Sequence, residues 1–178
     1  MGRRIVLLRG INLGARNRIS MPDLRELLGG AGFEDVRTYL QSGNVVLSST
    51  ASPKRVAREC EALIADRLGL EIQVVVRTRN ELAKVVKRNP LAKVAVNPKR
   101  YQVSFLSAKP DREVVRKLEA AAVEDERVVF AGREIYAWHP AGVARSRLWA
   151  LLAGQGLGVT ATARNWTTVT KLLALADE

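Results

Sequence analysis

One cysteine, Cys60, and one histidine, His139, occur in 178 residues. A lone cysteine excludes an intramolecular disulfide, and one Cys with one distant His supplies too few ligands for a zinc centre, so no metal site is expected. Aromatic residues are few, with three Trp, three Tyr and three Phe. Base-stacking platforms of the sheet-borne RNA-binding kind are therefore scarce. No apolar run approaches the roughly 20 residues of a membrane span. The first such run, Ile5 to Leu8, stops at Arg9, too short for a signal-peptide core and better suited to a central strand. Gly2 opens no myristoylation signal, because Val6 stands where Ser or Thr is needed. A cytoplasmic protein without a membrane partner is the expectation.

Acidic residues are also in deficit. Eighteen Asp and Glu face 29 Lys and Arg, a formal net charge of +11. That balance favours anionic partners, whether nucleic acid, phosphorylated small molecules or acidic proteins. Hydrophobic residues make up 47% of the chain, enough for a core in one domain or two small ones.

The periodicities alternate between strand and helix. Residues 4–9 read as an apolar strand followed by a Gly/Asn loop. Ser20 is placed to cap a helix whose stripe is Leu24, Leu27 and Leu28, with Gly29, Gly30 and Gly32 at its end. Strands at 35–40 and 44–49 flank a turn at Ser42-Gly43. Pro53 opens a second helix with Val56, Cys60, Leu63, Ile64 and Leu68 on its stripe, and Gly69 stops it. EIQVVVRT is a fourth strand. This β-α-β-β-α-β order is the ferredoxin-like split βαβ pattern, assigned to residues 1–78.

Residues 101–178 repeat it. YQVSFLS is a strand, Pro110 and Asp111 open a helix, and ERVVFAGREIYAW is a hairpin turning at Ala131-Gly132. Ser146 to Ala153 is helical, VTATA is a short strand, and a further helix begins near Trp166. The expected fold class is therefore α+β, two tandem ferredoxin-like units with an additional C-terminal helix. Residues 79–100 join them as a basic helical linker, in which Arg79, Lys84, Lys87, Arg88, Lys93, Lys99 and Arg100 face one acid, Glu81. Such a segment suits nucleic acid or an acidic protein partner; charge runs are also often simply solvated.

Topology brings two polar junctions together. In a split βαβ unit the first two strands run parallel, so the loops after them leave at one edge of the sheet. One loop holds Arg9, Gly10, Asn12, Gly14, Arg16 and Arg18; the other holds Gln41, Ser42, Gly43 and Asn44. Glycines relax the backbone, arginines offer forked donors, and a helix starts nearby at Ser20. A phosphate or carboxylate would suit this set. Equally, Asn12 and Asn44 can cap loop backbone and bind nothing. The glycine spacing is neither a Rossmann nor a Walker pattern, so no cofactor follows from it.

By the same logic the second unit gathers His139, Arg145, Ser146 and Arg147 with Arg164, Asn165 and Trp166. Asn165 is a candidate N-cap for the last helix. Here Trp166 and Arg164 also have a structural reading, locking that helix onto the sheet. Cys60, on an apolar stripe, reads as core. His139 has no marked partner in sequence, and Glu124, Asp125 and Glu126 read as a solvated acidic turn. No enzymatic activity can be assigned from these patterns.

The segment LLRGINLGARNRISMPDLRELLGGAGFEDVRTYLQSGNVVLSS resembles the N-terminal signature of the bacterial domain of unknown function 1697 family. HPAGVARSRL and TARNWTTVTKL resemble its closing motifs. By position the pattern covers Arg9, Gly10, Ile11, Asn12, Gly14, Asn17, Met21 and Leu24, then Tyr39 and Gln41 through Asn44. It continues at Pro140, Gly142, Ser146, Arg164 through Trp166, Thr168, Val169 and Leu172. Ala15 departs from a common second glycine, and Arg16 and Arg147 stand for lysines. The resemblance implies paired ferredoxin-like units and supplies no activity, substrate or cofactor.

Overall fold

A computed structural model describes residues 1–178. In the first half the elements are β1 (Gly2–Leu8), α1 (Met21–Gly30), β2 (Glu34–Tyr39), β3 (Asn44–Ser49), α2 (Pro53–Leu68), β4 (Val74–Thr78) and α3 (Arg79–Arg88). In the second they are β5 (Tyr101–Leu106), α4 (Arg112–Ala121), β6 (Arg127–Ala131), β7 (Glu134–Trp138), α5 (Arg147–Ala153), β8 (Ala161–Asn165) and α6 (Trp166–Asp177). Two four-stranded sheets result, ordered β2-β3-β1-β4 and β6-β7-β5-β8, all neighbours antiparallel. This is the tandem ferredoxin-like arrangement with a final helix. The chain divides into one unit of Met1–Lys84 with Leu172–Glu178 and another of Val85–Lys171. Both α3 and α6 run through that division.

Local chemistry sets the boundaries. Ser20 Oγ accepts the Asp23 N–H at 3.1 Å to start α1, and Ser52 Oγ does the same for Arg55 at 3.3 Å to start α2. Gly69 ends α2 in the left-handed region, φ 65°, returning its N–H to the Ala65 carbonyl. Thr78 and Glu81 form a reciprocal capping box on α3, Glu81 N–H to Thr78 Oγ1 at 3.1 Å and Thr78 N–H to Glu81 Oε2 at 2.7 Å. Asn165 caps α6 by accepting the Thr168 N–H at 2.9 Å.

Alternation along the strands builds each core. In the first unit Val6, Leu8, Val45, Leu47, Val74 and Val76 share a cluster with Leu24, Leu28, Val56, Cys60 and Ile64. The intervening Ile5, Leu7, Val46 and Val75 are buried too, which is why these strands read as continuous aliphatic runs. Cys60 is core, and burial together with Glu59 and Glu61 pushes its thiol up to about 12. It is unreactive as a thiolate near neutrality.

In the second unit Leu106, Ile135, Ala137 and Ala161 pack with Leu118, Leu148 and Leu152. On the other strand phase Tyr101, Val103, Phe105 and Tyr136 are buried, so that row is interior and offers no surface for bases. The last strand lies two residues later than its apolar pattern suggests, because it pairs Ala161 with Leu106 and Asn165 with Gln102. Thr160 instead exchanges hydrogen bonds with Ser107 beyond the strand.

The repeat extends to a buried charge. Arg77 and Arg164 are each the fourth residue of a unit's last strand, one position before the cap of the next helix. Both are buried. Arg164 donates to Thr162 Oγ1 at 2.7 Å and to the Ala163 carbonyl at 2.8 Å. Burial pushes its guanidinium down to about 10, which leaves it charged near neutrality.

Gly43 is the tightest backbone position near the first edge. Its φ is 81°, and a Cβ there would lie 2.7 Å from Leu8 Cβ and 3.0 Å from Ile11 Cδ1. Gly43→Ala should lower stability by about 2–4 kcal/mol, from left-handed strain plus overpacking. Gly10→Ala, at φ 66° with open space around it, should lose only about 1 kcal/mol. Urea unfolding of both variants checks the difference; equal losses would contradict the close approach.

Candidate functional site

The two polar junctions of the first unit do meet. Both β1 and β2 run antiparallel to β3, so their ends share one edge. Asn12 Nδ2 donates to the Gln41 carbonyl at 2.6 Å and to the Ile19 carbonyl at 2.9 Å, while Asn12 Oδ1 accepts the Ile19 N–H at 2.9 Å. Leu8 N–H donates to the Gly43 carbonyl at 2.9 Å. Asn44 is buried, with Nδ2 donating to the Tyr39 carbonyl and Ser42 Oγ, each at 2.9 Å. Asn17 Nδ2 reaches the Gly10 carbonyl at 3.3 Å.

These bonds sort the residues into frame and surface. The asparagine amides are committed to loop backbone, as one reading of the sequence allowed. Left-handed conformations occur at Gly10, Asn12, Gly14, Asn17, Leu40 and Gly43, with φ between 51° and 81°. Such density is expected where backbone geometry is over-determined by its surroundings. Outside the frame, Arg16, Arg18, Gln41 and Ser42 are exposed and Arg9 is half-buried. Arg9 Nη1 contacts Gln73 Oε1 at 3.3 Å, and Arg18 Nε donates to the Gly14 carbonyl at 3.1 Å. Leu13 and Leu40 flank the junction with 75% and 55% of their surface exposed.

In the second unit the expected residues separate. Arg164 lies within β8 on a buried face, and Trp166 opens α6 with its ring stacked on Tyr101 at 4.8 Å. Asn165 is a cap. Arg145 and Arg147 remain exposed. His139 and Ser146 belong to a different cluster, whose third member is Glu126.

Glu126 was not legible as a partner, although the hairpin register contains it. Arg127 pairs with Trp138, so the next position outward sets Glu126 opposite His139. His139 is fully buried, with Nδ1 2.7 Å from Glu126 Oε2 and 3.1 Å from Ser146 Oγ. Ser146 donates its hydroxyl to the same Oε2 at 2.5 Å and accepts the Trp149 N–H at 3.0 Å, capping α5. An ionised carboxylate only accepts, so Nδ1 carries the shared proton. The Trp149 ring meets the imidazole edge-on at 5.9 Å.

This geometry braces two chain segments; it is not a nucleophilic triad. A triad places the acid and the hydroxyl on opposite imidazole nitrogens, whereas both lie on Nδ1 here. Burial acts to raise the Glu126 carboxyl, but hydrogen bonds from Ser146, His139 and the Val123 N–H outweigh it and hold it below its ordinary value. A carboxylate so stabilised is a weak base.

The basic segment is partly spent. Arg79 pairs with Asp177 at 2.6 Å, and Arg100 donates to the Pro140 carbonyl. Lys84, Lys87, Arg88, Lys93 and Lys99 are exposed.

A family model described as "Protein of unknown function (DUF1697)" matches residues 1–136. Among solved structures, the chain is similar to the conserved bacterial protein SP0830 from Streptococcus pneumoniae, with a TM-score of 0.80. The two share 23% identity over 98% of each chain, a likeness of fold. No curated protein matches the chain. No helix is long and apolar enough to cross a membrane.

The brace carries a pH signature. Because the folded pKa of Glu126 is depressed, its contribution to stability is full above the unfolded value of about 4.3 and is lost as pH falls through the folded value. Glu126→Gln should therefore cost about 1–3 kcal/mol at pH 7, with the gap to wild type narrowing at pH 3. Urea unfolding at the two pH values checks this, and a gap independent of pH would contradict it.

Proposed function

The chain belongs to the DUF1697 family of proteins of unknown function, and we propose that this member binds an anionic small molecule at the edge formed by Arg9–Asn12 and Gln41–Asn44. The ligand class is a phosphorylated or carboxylated compound of the cytoplasm. The observation that carries the reading is the Asn12 carboxamide bridging both loops. A bridge of this kind holds the loops in one geometry before any ligand arrives, so less ordering entropy opposes binding.

Roles then divide by what each side chain already contacts. Asn12, Asn44 and Gly43 form the frame. Arg9, Arg16 and Arg18 supply guanidinium donors, which match phosphate or carboxylate oxygens in pairs. Gln41, exposed at the turn, offers an amide beside them. The net charge of +11 would draw such a ligand in and speed association at low salt.

Calorimetric titration with inorganic phosphate, pyrophosphate and a nucleoside diphosphate tests the reading. Arg9→Ala and Gln41→Ala should each weaken the binding anion by tenfold or more, the scale of one charge-assisted hydrogen bond. Unchanged affinity in both variants rejects the site.

A further inference from the structure

We infer that the second unit carries a separate binding site for a small zwitterion, an α-amino acid or short peptide, in the cavity beside the Glu126–His139–Ser146 brace. The cavity measures about 610 Å³, within the range of about 300–1,000 Å³ typical of small-molecule pockets. Two segments line it. The one leading into β6 contributes Val123, Glu124 and Asp125, and the one following β7 contributes Pro140, Ala144 and Arg145.

Charge is divided between those segments. Both acids belong to the first and the guanidinium to the second, and all three residues are exposed. No salt bridge within 4.0 Å joins Arg145 to either acid, and none of the three side chains has a hydrogen-bond partner. Opposite charges that share a cavity without meeting suit a ligand bearing both signs. Its carboxylate would take the Arg145 fork, and its ammonium would lie against Glu124 and Asp125. Val123, 56% exposed, Pro140 and Ala144 offer apolar contact for an aliphatic side chain.

The brace explains why the cavity persists. Glu126 and Ser146 sit one residue from Asp125 and Arg145, and their 2.5 Å hydrogen bond ties the two segments together. His139 Nδ1 completes the tie.

Titration of the full chain with leucine, leucinamide, 4-methylpentanoate and the dipeptide Leu-Leu tests the inference by calorimetry. Leucine or Leu-Leu should bind, and removing either ligand charge should weaken binding at least tenfold. Binding of leucine assigns the site to free amino acids; binding of Leu-Leu alone assigns it to peptides. Arg145→Ala should cut affinity for the zwitterion at least tenfold and leave leucinamide binding unchanged. Asp125→Asn should act on the ammonium side, sparing 4-methylpentanoate. Both residues are exposed and unbonded, so the variants should fold, and phosphate binding at the Arg9 edge should persist in each. Failure of both leucine and Leu-Leu to bind at millimolar concentration overturns the inference, as does binding indifferent to Arg145→Ala.

Discussion

The Asn12 carboxamide spends its oxygen and both amide protons within the protein: two bonds close its own loop at Ile19 and one crosses to the Gln41 carbonyl. Asn12 does this from the left-handed region, φ 54°, which asparagine tolerates better than most residues. Everything at the first edge depends on that arrangement. It brings the turn after β2 against the loop after β1, where the Gly43 carbonyl can accept from Leu8 and only a glycine fits. The same commitment prevents Asn12 from binding anything else. A side chain central to the edge thus becomes its mortar, and the outward chemistry passes to arginines and to Gln41.

The second unit solves a related problem with a charge. Two segments must be joined where β6 begins and β7 ends, and the join is an ionised carboxylate taking donors from a serine and a histidine. Burial disfavours that ion, and the converging donors more than offset it. Ser146 serves twice, since its hydroxyl oxygen also caps α5 through the Trp149 N–H. Loss of the carboxylate therefore reaches the start of a helix as well as the mouth of a cavity.

Much of the fold was readable because its punctuation is local. Ser20, Pro53 and Gly69 act on their own turns, and the strand periods are short and regular, so the split βαβ order emerged twice. The final strand was misplaced by two residues because VTATA looks like a strand by itself, whereas its register is set by β5, more than 50 positions earlier. The edge of the first unit could be located from topology, but the roles within it could not be separated. Asparagine donates and accepts equally well to a ligand or to a loop, and only the distances from Asn12 and Asn44 decide. Glu126 was hidden for a different reason: in an acidic run each member looks solvated, and only the hairpin register distinguishes the one that faces His139.

Amide-resolved NMR during titration with inorganic phosphate addresses the central claim most directly, comparing wild type with Asn12→Ala. The expected result is saturable shifts at Arg9–Arg18 and Gln41–Asn44 in wild type, with those resonances broadened and the response lost once the bridge is removed. Shifts confined to Lys84–Lys99, or an undiminished response in Asn12→Ala, would show that the bridged edge is not what holds the anion.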